Sequence, residues 1–147
     1  MERLGASIAA QLDAGDLLAL NGELGAGKTT FVRGLGEALG TRGGIASPTF
    51  VIARTHPTER GVPLVHVDAY RLSSAAELDD LDLDFEGSIV AVEWAAGMLD
   101  GVADAWLEIS IERPRGAGSG ADRDLDAEEA RTVTITGHGD RWSQFRL

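Results

Sequence analysis

The sequence predicts a three-layer α/β domain, with helices on both faces of a mixed central sheet. Three observations carry this expectation. A short apolar run, Leu17-Leu18-Ala19-Leu20, enters a glycine-rich loop that opens into a helical stripe of Phe31, Val32, Leu35, Ala38 and Leu39. Two further apolar runs end on acids: Leu64-Val65-His66-Val67 on Asp68, and Ile89-Val90-Ala91-Val92 on Glu93. Near the C-terminus, Trp106 to Ile111 and Thr132 to Thr136 alternate as paired strands would.

Taken in order, Glu2 to Leu12 reads as an amphipathic helix with Leu4, Ile8, Ala9 and Leu12 on one side. The strand–loop–helix unit runs from about Leu17 to Gly40. Ile45 to Thr55 holds Ser47-Pro48-Thr49-Phe50-Val51-Ile52, a polar turn leading into a strand, and Val62 to Tyr70 is a second strand. With Pro57 to Gly61 between them, the two make a plausible hairpin. Ser73 to Leu78 starts as a helix, with Ser74 and Glu77 at capping-box spacing. After it, Glu77, Asp79, Asp80, Asp82, Asp84 and Glu86 are interleaved with Leu81, Leu83 and Phe85. Pro114 to Ala130, rich in Gly, Asp and Glu, reads as a flexible loop. The Arg141 to Phe145 tail carries Trp142 and Phe145, expected to pack back on the domain.

Lys28 is the chain's single lysine among 13 basic residues, and it stands within Gly22-Glu23-Leu24-Gly25-Ala26-Gly27-Lys28-Thr29. That is the G-x-x-x-x-G-K-[ST] phosphate-binding pattern. A compact ammonium on a thin stem reaches β- and γ-phosphates from a tight loop, where a planar guanidinium is too wide. Small residues turn backbone N–H groups inward as an anion nest, and the following helix points its positive end at the phosphates. The Thr29 hydroxyl suits a magnesium shell. A glycine-rich turn matching by chance is the alternative; the strand before and the helix after argue against it. The Gly22 to Thr29 loop is therefore the candidate nucleotide-phosphate site, with Lys28 placed to act on the transferring phosphoryl group.

A P-loop also needs a carboxylate at a neighbouring strand end to complete the metal shell. Asp68 and Glu93 both qualify, and each alone reads equally as a solvated strand-end residue. His66, Asp68 and Tyr70 fall at i, i+2 and i+4, so a strand puts them on one face, with Val65, Val67 and Ala69 toward the core. Ordinary strand alternation is the simpler account of that row. Ser47-Pro48-Thr49 has the form of a switch segment, in which Thr49 would contact the γ-phosphate or the metal. A proline-containing turn is its default reading.

The composition bounds the rest. At 147 residues the chain is expected to be one domain. It has no cysteine, which excludes disulfides, thiolate metal sites and thiol nucleophiles. No apolar run is long enough to span a membrane and no secretory pattern is visible, so a cytoplasmic location is expected. A net charge of −11, from 24 acids against 13 bases, argues against gripping nucleic acid alone. Acidity suits solubility or a basic protein partner.

Together these residues resemble the TsaE (YjeE) family of small P-loop ATPases needed for threonylcarbamoyladenosine in tRNA. The resemblance lies in Gly22 to Thr30, Ser47-Pro48-Thr49-Phe50, His66-Val67-Asp68-Ala69-Tyr70-Arg71-Leu72 and Val92-Glu93-Trp94, in that order, over roughly residues 4 to 111. It implies ATP and Mg²⁺ as cofactors, with Glu23 to Thr30 on the phosphates and Thr29 and Glu93 on the metal. It further implies Asp68 in support of hydrolysis, Thr49 as a switch residue, and the TsaB and TsaD proteins as partners. ATP turnover would be linked to resetting that complex, and tRNA would be met only through it. Ala95-Ala96 depart from the family, which often has Pro-Glu after its Glu-Trp.

Three rival readings stand beside this one. A small-molecule kinase needs an acceptor pocket and an arginine-rich lid, and no segment has that composition. A guanine-nucleotide switch needs Asn-Lys-x-Asp, which a single lysine at position 28 rules out. The third is a module that holds nucleotide without useful hydrolysis. No arginine is clearly placed as a finger; Arg71 is the nearest, so weak turnover in isolation is expected.

Overall fold

A computed structural model of the chain describes residues 1–23, 27–41, 53–69, 72, 74–94, 99, 103–112 and 132–146. The first strand, β1 (Leu17–Gly22), enters the glycine-rich loop, and α2 (Lys28–Leu39) leaves it. A short helix, α1 (Glu2–Ala9), precedes them. After α2 come β2 (Ala53–His56), β3 (Leu64–Asp68), α3 (Ala75–Asp79), β4 (Ile89–Glu93), β5 (Trp106–Glu112) and β6 (Thr132–His138). The six strands form one sheet in the order β2-β3-β4-β1-β5-β6.

Sequence patterning accounts for each strand's place. Residues Leu17 to Leu20 of β1 and all of β4 are buried, as strands covered on both faces must be. They pair in parallel with each other, β3 adds in parallel to β4, and β5 adds in parallel to β1. The outer strands β2 and β6 run antiparallel to their neighbours and hold no fully buried residue, β6 with the alternating sequence. The sheet is therefore mixed, as expected, and the β2–β3 hairpin is present.

Two apolar layers flank the sheet. On one face Leu18, Leu20, Leu64, Ile89, Leu107 and Ile109 pack with Ile8 and Leu12 and with Phe31, Val32, Leu35 and Leu39 of α2. On the other, Leu17, Ala19, Val65, Val67, Val90 and Val92 pack with Leu78 of α3, and Leu81, Leu83 and Phe85 close over them. The acids between those last three face solvent, so the interleaving is a half-buried strap. Ser74 caps α3, its hydroxyl accepting from Glu77 N–H at 3.3 Å.

The helices α1 and α2 cross at glycines. A Cβ on Gly5 would stand 2.3 Å from the Phe31 carbonyl oxygen, and one on Gly34 would stand 2.1 Å from that of Glu2. This backbone-to-backbone approach corrects one expectation. Ala38 is exposed, and Gly34 and Gly36 are buried with the stripe instead. Helix α1 is also shorter than Glu2 to Leu12. Past Ala9 the chain tightens into i→i−3 bonds, Gln11 N–H donating to the Ile8 carbonyl at 2.9 Å and Leu12 N–H to that of Ala9 at 3.1 Å. The Asp13 N–H goes to the Asp16 carboxylate at 2.7 Å, and the Arg60 guanidinium donates to the carbonyls of Ala9 at 3.1 Å and Leu12 at 2.7 Å at this end. Leu12 remains buried beyond the helix end.

The tail packs back as expected. Trp142, in a 3₁₀ turn, joins the first core layer, and Phe145 meets its ring edge-on at 5.6 Å. Leu24-Gly25-Ala26, Ser47-Pro48-Thr49-Phe50, Tyr70-Arg71, Ala95-Ala96 and the 114–130 segment lie outside the described residues.

Candidate functional site

The site forms where β1, β3 and β4 end at the start of α2. Gly27, the residue before α2, has φ 116°, a left-handed conformation that frees the loop to turn into the helix. Lys28 follows as the first helical residue, only 5% exposed. Its Nζ donates to the carbonyls of Gly22 at 2.6 Å and Glu23 at 3.0 Å, and stands 4.0 Å from the centroid of the Trp94 ring. Burial pushes the Lys28 pKa below its ordinary value, while the carboxylates of Glu93 and Asp68 pull it back up.

Strand register brings the two acids together. Asp68 of β3 lies opposite Glu93 of β4, and Glu93 lies opposite Leu20 of β1. Leu18, Leu20, Leu64 and Ile89 belong to the layer beneath α2, so alternation puts His66, Asp68 and Glu93 on that same face. Two bonds lock the strand ends: Ala69 N–H donates to the Glu93 carbonyl at 2.9 Å, and Trp94 N–H donates to that of Leu20 at 3.0 Å. Trp94 then turns with φ 64°, unusual for a bulky side chain and costly enough to mark a site the surrounding structure must hold.

Glu93 is 4% exposed, and its Oε2 is in direct contact with Nε2 of His66, which is wholly buried. The polar row on β3 was legible; its burial was not. With both faces covered, His66 faces α2 and the acid of the next strand, where a surface row would have faced water. The other ring nitrogen, Nδ1, has no partner among the described residues.

The donor set fits magnesium. It offers hard oxygens, from Asp68, Glu93 and the Thr29 hydroxyl in the first turn of α2. Among the described residues no group of three or more His, Cys, Asp or Glu gathers as a closed cage. Magnesium is typically held by one or two carboxylates together with waters and phosphate oxygens. Of the candidate phosphate-binding residues, Glu23, Gly27, Lys28, Thr29 and Thr30 are described, and Lys28 interacts with both acids.

Residues 1–121 match the family model described as threonylcarbamoyl adenosine biosynthesis protein TsaE. The chain belongs to the TsaE family. The tRNA threonylcarbamoyladenosine biosynthesis protein TsaE of Streptomyces coelicolor is 51% identical over 147 aligned residues, covering 97% of this chain and 94% of that protein. The TsaE of Bacillus subtilis is 37% identical over 132 residues, 89% of this chain and 75% of that one. The crystal structure of Bacillus subtilis YdiB superposes with a TM-score of 0.70 at 31% identity, covering 96% of this chain and 80% of that chain. The P-loop fold expected from the sequence is thus the fold of this TsaE-family chain.

Two members of its site were under-read in the sequence. In the sequence Trp94 reads as the indole of the Val92-Glu93-Trp94 motif, with packing as its simplest role, yet its ring faces the Lys28 ammonium. His66 stands in the sequence as part of the polar row and of the His66 to Leu72 motif, with no task of its own. The signal for both was spacing: one residue past the strand-end acid, and two residues before the other.

Proposed function

We propose that this TsaE-family chain binds ATP with Mg²⁺, hydrolyses it slowly, and serves tRNA threonylcarbamoyladenosine formation by acting on the TsaB–TsaD pair in the cytoplasm. The observation that carries this reading is the meeting of Lys28, Asp68 and Glu93 at the start of α2, on a glycine-rich loop of the phosphate-binding pattern.

Each residue has a task the geometry suits. The loop amides and the Lys28 ammonium take up charge on the transferring phosphoryl group. Thr29 and Glu93 would hold the metal, and Asp68, one strand over, would orient the attacking water or a group behind the metal's own ligands. When bound, Mg²⁺ neutralises charge developing on the β- and γ-phosphate oxygens. Thr49 is the candidate switch residue. No described helix is long and apolar enough to cross a membrane. The net charge of −11 favours meeting tRNA through a partner complex over gripping it directly.

ATP hydrolysis by the pure protein, with and without the TsaB–TsaD pair, tests this. Turnover that is negligible alone and rises with the pair is the expected result. Clear ATP binding with no complex and no stimulation would end the assembly role. Transfer of phosphate to an added small metabolite would turn the reading toward a kinase.

A further inference from the structure

Within this Mg²⁺–nucleotide reading, on which the inference rests, the buried His66 stands out as a polar group with no task. Its neighbours on and beside β3 are Leu64, Val65, Val67 and Ala91, all buried. An apolar side chain would fill such a place at lower cost than a buried polar pair. Its Nε2 nevertheless meets Glu93 Oε2. Parallel register explains how: His66 lies opposite Ala91, two residues before Glu93, so the ring and the carboxylate are diagonal neighbours on one face.

We infer that His66 is a positioning residue that grips one oxygen of Glu93 and presents the other to the metal. An ionised Glu93 offers only acceptors, so the ring proton must sit on Nε2 for the contact to be attractive. The unpartnered Nδ1 is then the lone-pair nitrogen, which agrees with its having no acceptor to serve among the described residues. Groups behind a metal-binding side chain fix its orientation, and their loss typically weakens metal binding. Asp68, at the end of the neighbouring strand, is less buried than Glu93.

The test compares His66→Gln, His66→Asn and His66→Leu by titration calorimetry with ADP, in excess Mg²⁺ and in chelator. The Gln amide nitrogen reaches about where Nε2 stood; the Asn amide falls short. The Leu and Asn variants should lose about 10- to 100-fold of the Mg²⁺-dependent gain in affinity. Chelator affinity should hold, and Gln should recover most of the loss. On a Glu93→Ala background, His66→Leu should add nothing further. An unchanged Mg²⁺ gain in Leu or Asn, or a Gln variant as defective as Asn, overturns the inference. Should the Leu variant fail to fold, the Gln–Asn comparison decides alone. Wild-type protein with no Mg²⁺-dependent gain at all would instead overturn the underlying reading and take this inference with it.

Discussion

The Lys28 ammonium stands 4.0 Å from the centroid of the Trp94 ring, and Trp94 holds that position with a backbone φ of 64°. The two residues belong to different elements, the start of α2 and the end of β4. A cation over an aromatic face is stabilised by the ring's quadrupole, more so where water is excluded. Trp94 therefore helps keep a buried lysine charged, alongside the carboxylates of Glu93 and Asp68.

That balance is measurable because Lys28 is the chain's only lysine. Acylation followed by peptide mapping reports it directly. Burial outweighs the neighbouring carboxylates, so the pH midpoint for labelling Lys28 should lie below that of an exposed lysine. Glu93→Gln and Trp94→Leu should each lower it further, the first by removing a negative charge and the second by removing the ring. Bound nucleotide should protect Lys28. A midpoint at the ordinary lysine value would mean the ammonium is solvated.

Asp68→Asn separates binding from hydrolysis. The amide keeps the shape but not the charge, so nucleotide affinity should stay within about threefold while turnover with the partner pair falls by about 100-fold, the usual worth of acid–base assistance. Phosphate release and calorimetry on the same preparations check it. Unchanged turnover would remove Asp68 from the mechanism.

Much of this architecture is legible in the sequence, and the part that is not has a common cause. Period-2 alternation locates β3 and puts His66 and Asp68 on one face; that Glu93 shares it comes from the strand register. Alternation says nothing of what lies over that face, so a buried histidine reads like a surface one until α2 is seen above it. The shortened α1 has a similar origin. Its last turn tightens and is then braced by Arg60, about fifty residues on in the chain, through carbonyls that no local pattern marks. Ala38 was assigned to the core by helical spacing, but the glycine crossing at Gly34 moved the buried face. Long-range polar contacts and glycine approaches are what pattern reading lacks.

The α1–α2 crossing predicts a large effect from a small change. Gly34→Ala would put a methyl 2.1 Å from the Glu2 carbonyl oxygen and 2.5 Å from its Cα. Backbone cannot rotate away as a side chain can, so the helices must separate. Overpacking of this kind costs about 1–3 kcal/mol, a loss of about 3–10 °C in melting temperature for a domain of this size. Thermal unfolding followed by circular dichroism measures it. A melting point within a degree of wild type would mean the crossing is looser than described.

Arg141 ties the tail to the start of β1. Its Nε and one terminal nitrogen donate to the two oxygens of Asp16 at 3.0 and 2.9 Å, and the same terminal nitrogen donates to the Gln11 carbonyl at 2.9 Å. Asp16 is only 6% exposed, so removing the guanidinium leaves it, among the described residues, with the Asp13 N–H at 2.7 Å as its remaining donor. Arg141→Ala should cost about 1–3 kcal/mol, read as a lower urea midpoint. Arg141→Lys should recover little, because an ammonium cannot match both oxygens. Full recovery by lysine would reduce the contact to simple charge.

Acid sensitivity should trace in part to His56. Burial, and then the nearby His66 and Arg54, hold its pKa below the usual 6.5, and its Nε2 has no partner among the described residues. The folded protein therefore keeps His56 neutral at pH values where the unfolded chain already binds a proton. With the unfolded state binding more protons, stability falls as pH drops below the unfolded value and stops falling once pH passes the folded one. Above that window the group contributes nothing. His56→Leu leaves no polar atom unmatched and removes the titration, so its melting point should gain on wild type as pH falls from about 7.5 to about 5, a range spanning the ordinary histidine pKa. Titrating groups remote from His56 are common to both proteins and cancel in that difference. A gap between the two melting curves that is the same at both pH values would show that His56 takes up its proton as readily folded as unfolded.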